Sequence, residues 1–596
     1  MIKKRINSLR NLMKQYAISA YLIPGTDPHQ NEYIPDIWKR LEWISGFTGS
    51  NGNFVITKDK AALWTDYRYK LQAEEELAGT EIIIFISGVP DTPTINEWLF
   101  KEFSNGTIIG IDPRLFTLDE VTDLKNRLKH KKIEIKCIEK NLVDLIWKNK
   151  PDFPDSPITL HPISYCGVSF EEKLSWVRER MMEEECDLHI ITSLDSIAWL
   201  FNIRGSDIPY NPVIISYALI TYTQAYLFIK HRNIPKSIKD LFYGKVKLLN
   251  YNDFDKELKD FIKNHNRIWV DAKRTNFYIT SLIEPFCELF FKESPIIGLK
   301  AIKNKTEISC LKKTHLQDGI AMVRFLCWLE SQINQNRRVT ELSAADKLES
   351  IRQDNENYIG LSFKTISAFA EHGAIVHYSC SNDSDIPLKQ PGIFLIDSGA
   401  QYLDGTTDIT RTIALGTPTF EQKKMFTLVL KGHIGLAITS FPAGTKGIQL
   451  DTIARKPLWD KGLDYGHGTG HGIGFYLNVH EGPQAISQTK GVFTNLEPGM
   501  VCSIEPGFYK TGEYGIRIEN ICLITEDREF STSENKFYKF VTFTLCPIDR
   551  NLIEKKLLTQ IELDFLNSYH KIVRSRISPY LDEDELKWLI KATEII

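Results

Sequence analysis

The sequence predicts an α/β (α+β) protein: two tandem α/β modules, a third region of mixed helices and strands, and a short helical tail. Three observations predict it. The segment Trp43-Ile-Ser-Gly-Phe-Thr-Gly-Ser50 is answered by Trp199-Leu-Phe-Asn-Ile-Arg-Gly-Ser206, with the same Trp-to-Ser spacing. The apolar pattern before and after each copy is the same, helix then strand before it and paired β-rich runs after it. At 596 residues the chain is also too long for one hydrophobic core.

The first module is expected over residues 1–150. Leu9, Leu12, Met13 and Tyr16 mark one helix face, Ala20–Ile23 runs on as a strand, and Asn53–Thr65 reads as a hairpin. The second, residues 164–300, repeats this with a helical pattern from Val177 feeding a strand to Ile191, then a hairpin over Val213–Ile229. Between them Pro151, Pro154, Pro157 and Pro162 suit a stiff linker. A boundary near Pro295–Lys303 precedes the third region, residues 303–548, whose opening helix is traced by Ile308, Leu311, Ile320, Val323 and Cys327. In the tail, residues 549–596, Ile553, Leu557, Ile561, Phe565 and Tyr569 follow helical spacing, as a packing or homodimer element would.

Composition narrows the function classes. A formal charge of −3, from 73 basic and 76 acidic residues, offers no electrostatic footprint for nucleic acid. The most apolar stretch, Val213–Ile229, is interrupted by Ser216, Thr221, Thr223 and Gln224, so no membrane span is expected. The start of the chain carries no acid before Asp27, as a presequence would, yet its helix runs straight into a strand. That continuity favours a folded element and a cytoplasmic location. The ten cysteines form no CxxC pair, which argues for reduced thiols and against a disulfide framework or structural zinc.

The chemistry-bearing motifs all fall in the third region. In Gly392-Ile-Phe-Leu-Ile-Asp-Ser-Gly399 an apolar run reads as a buried strand ending at Asp397. A turn around Leu403–Thr406 follows, and Asp408 in Thr407-Asp-Ile-Thr-Arg-Thr-Ile413 can face back across the hairpin. Two carboxylates held together repel unless a cation sits between them. Tyr465-Gly-His-Gly-Thr-Gly-His-Gly-Ile-Gly474 and Asn478-Val-His-Glu-Gly-Pro483 add His467, His471 and His480, in a chain with 14 histidines in all. Met500-Val-Cys-Ser-Ile-Glu-Pro-Gly507 brings Glu505 to the end of a strand. In Gly515-Ile-Arg-Ile-Glu-Asn520, strand alternation puts Arg517 and Glu519 on one face, side by side.

Asp397, Asp408, His471, Glu505 and Glu519 match in order and flanking residues the metal ligands of the pita-bread metallopeptidases, which include methionine aminopeptidase, prolidase and aminopeptidase P. The long stretch His471-Gly-Ile-Gly-Phe-Tyr-Leu-Asn-Val-His480 resembles the three-domain cytosolic aminopeptidase P. So do Phe47-Thr-Gly-Ser50, Trp64-Thr-Asp-Tyr-Arg-Tyr69 and Asn202-Ile-Arg-Gly-Ser-Asp-Ile-Pro-Tyr-Asn211, so that the resemblance spans essentially the whole chain. It implies creatinase-like modules ahead of a pita-bread catalytic domain, and a homodimer.

The resemblance also implies a function: release of an N-terminal residue from peptides with proline in second place, by a hydroxide bridging two divalent metals. In that reading Asp408 and Glu519 bridge the metals, Asp397 holds one, and His471 and Glu505 hold the other. Glu505 is the general base, and His377 and His480 bind the peptide and steady the tetrahedral intermediate. His467 carries protons, Arg517 orients the neighbouring ligand Glu519, and Arg68 reaches substrate from the first module. The oxygen-rich donor set favours a hard ion, Mn²⁺ above others. The nearest rival is prolidase, which the tandem modules and the long His471–His480 spacing disfavour. A non-catalytic binding protein on the same fold should have lost ligands, and all five are present.

Overall fold

The computed structural model describes residues 1–230, 234–489 and 493–596. The chain divides into two compact units, one comprising residues 1–161 and 168–297, the other residues 162–167 and 298–596.

The first unit holds two sheets of one topology. Strands β1 (Ala20–Pro24), β2 (Asn53–Thr57), β3 (Ala61–Thr65), β4 (Ile82–Ile86), β5 (Ile108–Ile111) and β6 (Glu134–Cys137) stand in the order β4-β3-β2-β1-β5-β6. Strands β7 (Leu188–Ile191), β8 (Tyr217–Thr221), β9 (Ala225–Ile229), β10 (Val246–Asn250), β11 (Arg267–Val270) and β12 (Glu288–Phe291) stand in the order β10-β9-β8-β7-β11-β12. The first strand of each pairs antiparallel with a hairpin on one side and parallel with a later strand on the other. Trp43 and Trp199 lie on equivalent short helices, Arg40–Ser45 and Leu194–Leu200, between the first two strands of each module. The repeated segment is thus the trace of a duplicated fold.

The proline-rich stretch forms no regular element from Pro151 to residue 158, but Thr159–Leu160 then pairs antiparallel with Ile203–Arg204, so its last part is built into the second module. The expected boundary at Pro295–Lys303 contains the division between the two units, at Ile297 and Gly298, which falls within the helix Pro295–Ala301. Prolines therefore mark the irregular stretch without marking its end.

The second unit opens on helix α1 (Lys305–Asn334), started by a capping box in which Asn304 and Glu307 satisfy each other's backbone N–H groups. Helix α2 (Glu341–Gln353) follows, then β13 (Ile366–Phe369), β14 (Gly392–Ser398) and β15 (Ile409–Leu415), which form one antiparallel sheet in that order. Strand β14 is covered on both faces. Phe394 and Ile396 pack with Met322 and Phe325 of α1, whereas Leu395 packs with Ile366 and Tyr378. Double burial explains a continuous apolar run without alternation. A second sheet contains β16 (Gly470–Gly472), β17 (Glu481–Ile486), β18 (Val501–Ile504), β21 (Asn520–Glu526) and β22 (Phe537–Thr542), in the order β22-β21-β18-β16-β17. The hairpin β19 (Gly507–Lys510) and β20 (Tyr514–Arg517) stands apart from it.

The tail folds back into this unit. Leu563, Leu566, Tyr569, Val573 and Ile577 of the helix Gln560–Ile577 join a core with Ile320, Val323 and Phe426. The expected face holds at Tyr569 and Phe565, which pack into this core, but not at Ile561, which is 68% exposed, and Ile553 and Leu557 precede the helix. Evenly spaced apolar residues outside the helix simulated a stripe that the true register displaces.

Candidate metal centre

Two antiparallel strand pairs deliver the carboxylates. In the β14–β15 pair Asp397 faces Thr410 and Ser398 faces Ile409, so Asp408 stands one step beyond the last pair. In the β18–β21 pair Ile504 faces Asn520, and the next step in that register brings Glu505 opposite Glu519. The pairs are stitched together by Thr410 and Thr412. Thr410 Oγ1 donates to Glu519 Oε2 at 2.9 Å, Glu519 N donates to Thr410 O, and Thr412 Oγ1 donates to Arg517 O.

His471 enters from β16, with Nε2 3.5 Å from Asp408 Oδ2 and 3.4 Å from Glu505 Oε1. The ligand atoms of Asp408, His471 and Glu519 lie within 4.8 Å of one another. The flanking glycines serve packing: a Cβ on Gly470 would lie 2.0 Å from Ser503 O, and one on Gly472 would lie 2.1 Å from Glu481 O. His471 can therefore sit between two close strands. Its ring meets that of His480 edge-on at 4.4 Å. Ser503, a residue the motifs did not single out, accepts from His471 N and donates to Glu505 Oε1 at 3.2 Å.

Arg517 is turned to a partner other than the expected one. Strand β20 ends at Arg517 and β21 begins at Asn520 in a different sheet, so the alternation breaks at Ile518 and Glu519. Arg517 donates to Asp397 Oδ2 through Nη2 at 2.6 Å and Nε at 3.2 Å. Its Nη1 donates to Tyr509 Oη at 2.7 Å, and that oxygen also meets His467 Nε2 at 2.7 Å. Tyr509 is a further residue the motifs did not reveal, because one tyrosine on a short strand carries no pattern. The path from His467 to Asp397 runs through an arginine that keeps its proton, so it orients groups, and proton exchange along it stops at Tyr509. His377 is half-buried and follows the turn Ala370–Ala374, whose Gly373 lies against Gly515 of β20. Arg68 belongs to the first unit, where Asp66 accepts from its Nε and Nη2 at 2.9 and 2.7 Å.

The donor set fits divalent cations. Asp397 Oδ1, Asp408 Oδ1 and Glu519 Oε1 are buried oxygens that find no hydrogen-bond partner among the described residues. Burial pushes Glu519 well above the carboxylate range, and Asp408, Glu505 and Asp397 add to it. Burial also raises Asp397 to about 6, against the pull of Arg517, and raises Glu505. For His471 burial lowers the pKa, but the hydrogen bond to Asp408 and the charge of Glu505 outweigh it and hold the imidazole at about 9. Uncompensated buried charge costs several kcal/mol per ion, at about 3–5 kcal/mol where a partner is missing. Positive charge placed among these oxygens removes that cost.

Comparison with known proteins adds the wider context. Residues 309–526 match the model of metallopeptidase family M24, and residues 536–596 match the C-terminal region of peptidase M24. Residues 5–140 and 149–307 each match the creatinase/prolidase N-terminal domain. The chain is 41% identical over 610 residues to a probable Xaa-Pro aminopeptidase P of Coprinopsis cinerea, covering 99% of this chain and 98% of that one. Xaa-Pro aminopeptidase 1 of Dictyostelium discoideum is 39% identical over 605 residues, covering 99% and 96%. The crystal structure of X-prolyl aminopeptidase from Caenorhabditis elegans, described as a cytosolic enzyme with a di-nuclear active site, superposes with a TM-score of 0.97 at 37% identity over 100% of both chains.

Proposed function

We infer the function from the premise that the chain belongs to metallopeptidase family M24, among its Xaa-Pro aminopeptidases. It is a metal-dependent exopeptidase that removes the N-terminal residue from peptides with proline in second place. The observation that carries this reading is the convergence of Asp397, Asp408, His471, Glu505 and Glu519 around three buried, unpartnered carboxylate oxygens.

Asp397, Asp408, His471, Glu505 and Glu519 would together hold two divalent ions. When bound, such ions polarise the scissile carbonyl and lower the pKa of a shared water from about 15.7 towards about 7. Glu505 takes the water's proton and returns it to the leaving proline nitrogen. Its side chain is 18% exposed, against 5% for Asp408 and 10% for Asp397, so among these three it is the one most open to a substrate. His480, packed on His471, and His377 bind the peptide and steady the oxyanion. Arg517 keeps Asp397 aimed inward.

Proline accounts for the dedicated enzyme: an Xaa-Pro bond has no N–H to donate and its φ is fixed. We further propose Mn²⁺ as the ion, on the oxygen-rich donor set, and a cytoplasmic location. Among the described residues no helix is long and apolar enough to cross a membrane. A homodimer is proposed from the resemblance, and the tail keeps Ile561, Ile572 and Ile595 at least 49% exposed for such a contact. Sedimentation as a plain monomer would refute it. The function itself is tested by kcat/KM for Arg-Pro-Pro, Arg-Ala-Pro and Arg-Pro. Arg-Pro-Pro should be cleaved at least as well as Arg-Pro, and far better than Arg-Ala-Pro. A strong preference for Arg-Pro would make the chain a prolidase; equal rates for Arg-Pro-Pro and Arg-Ala-Pro would make it a general aminopeptidase.

A further inference from the structure

Glu341, at the start of α2, has a fully buried side chain outside the metal centre. Its Oε1 accepts from Phe369 N at 2.6 Å and lies 2.9 Å from His372 Nδ1. Its Oε2 accepts from Tyr378 Oη at 2.9 Å and from Cys380 Sγ at 3.6 Å. Its main-chain oxygen accepts from Ser367 Oγ at 2.7 Å. All of these donors come from one stretch of chain, and His377 lies inside it.

Glu341, Cys380 and Asp385 also bring their ligand atoms within 4.8 Å of one another. That trio is built for hydrogen bonding, not for a metal. Both oxygens of Glu341 already have donors, Asp385 Oδ1 accepts from Leu342 N, and burial pushes the Cys380 thiol up to about 11, which keeps its proton on.

What the carboxylate does is close the chain around His377 from both directions. Phe369 and His372 grip it before the histidine, and Tyr378 and Cys380 after it. The rings of His372 and Tyr378 stack at 4.5 Å with 25° between their planes, which binds the two sides of the grip to each other. The opposite wall is the backbone of β20, where a Cβ on Gly515 would stand 1.7 Å from Gly373 O. The segment bearing His377 is therefore held between a buried carboxylate and the strand that carries Arg517.

We propose that Glu341 is a positioning residue for peptide hydrolysis, acting through His377 by fixing the backbone on either side of it. The proposal rests on the assignment of His377 to substrate given above. It predicts that the effect of residue 341 on turnover depends on the imidazole at 377.

The test is a double-mutant cycle on the metal-loaded, full-length protein, with Arg-Pro-Pro as substrate and metal content measured for every variant. Glu341→Gln keeps the volume but replaces an acceptor by a donor, and should lower kcat on the order of 10- to 100-fold with metal content unchanged. In a His377→Ala background the same substitution should cost less than about 2-fold. If Glu341→Gln does not fold, Tyr378→Phe, which removes one donor to Oε2, is read in the same two backgrounds. Equal losses in both backgrounds, or full kcat in Glu341→Gln, would overturn the proposal while leaving His377 in place. Full kcat in His377→Ala alone would remove the assignment of that histidine, and the proposal with it.

Discussion

At Glu341 a buried carboxylate meets donors at both oxygens; at Glu519, in the same unit, one buried oxygen meets none among the described residues. The side chains are alike in chemistry and depth, and the contrast lies in what surrounds them. Around Glu341 the chain supplies N–H, O–H and S–H groups. Around Glu519 it supplies Asp408, Glu505 and Asp397, which make the situation worse. A fold can leave a buried acid unsatisfied in this way when something from outside completes it, so the orphaned cluster marks the site and the satisfied one marks support. Arg411 gives the cationic counterpart of Glu341. Fully buried three residues after Asp408, it donates to the main-chain oxygens of Thr410, Glu519, Cys546 and Pro547, to Asn520 Oδ1 and to Tyr569 Oη.

The largest effect should come from disturbing a satisfied group on which the rest depends. Deleting Leu552–Ile596 removes Tyr569 and the core side chains of the tail, so the truncated chain is expected not to yield soluble, cooperatively folding protein; a sharp thermal transition in it would show the tail to be dispensable. Next is Glu505→Gln, which should lower kcat by about 10²–10⁴-fold, with metal content separating lost base from lost ion. Comparable kcat with metal intact would place the base elsewhere. His377→Ala and His480→Ala should each cost about 10²–10³-fold in kcat and keep their metal. Loss of an ion from either would move that histidine into the metal's own ligand set. Tyr569→Phe leaves Arg411 one acceptor short and should cost about 1–3 kcal/mol by urea unfolding, at unchanged KM.

The last prediction concerns pH. Burial pushes His29 and His189 down to about 4, and His433 and His570 to about 3, from an ordinary 6.5. Below pH 6.5 the unfolded chain binds protons that these buried imidazoles refuse, so stability falls as pH falls from 6.5 towards their folded pKa values. Asp27 acts in the opposite sense: burial raises its carboxyl from 3.8 to about 6, and the folded state binds that proton first. The urea midpoint of the metal-loaded protein should therefore decline between pH 6.5 and 5. A rising midpoint would mean that these imidazoles are protonated in the fold.

Much of this was legible in the sequence where chemistry and local pattern coincide. Asp397 and Glu505 stand at the ends of apolar strands, and the glycines beside His471 announce close packing. The duplicated modules could be read from one recurring segment because a shared topology keeps a shared turn. Legibility failed where the outcome depended on distant chain. Arg517 turned from Glu519 to Asp397 because the strand changes sheets between them. Tyr509 and Glu341 act through partners 8 and 37 residues away, among others, which no local pattern encodes. The tail's buried face was misjudged at Ile561 because the start of its helix is set by the cap at Thr559.

The account turns on the difference between the two buried carboxylates, and metal stoichiometry measures it directly. After stripping with a strong chelator and reloading with Mn²⁺, the wild-type chain should retain about two ions and recover its Arg-Pro-Pro hydrolysis. Glu341→Gln should retain the same number, and Glu519→Gln should bind fewer and stay inactive. Full activity of the stripped protein, or loss of metal from Glu341→Gln with Glu519→Gln fully loaded, would contradict the account.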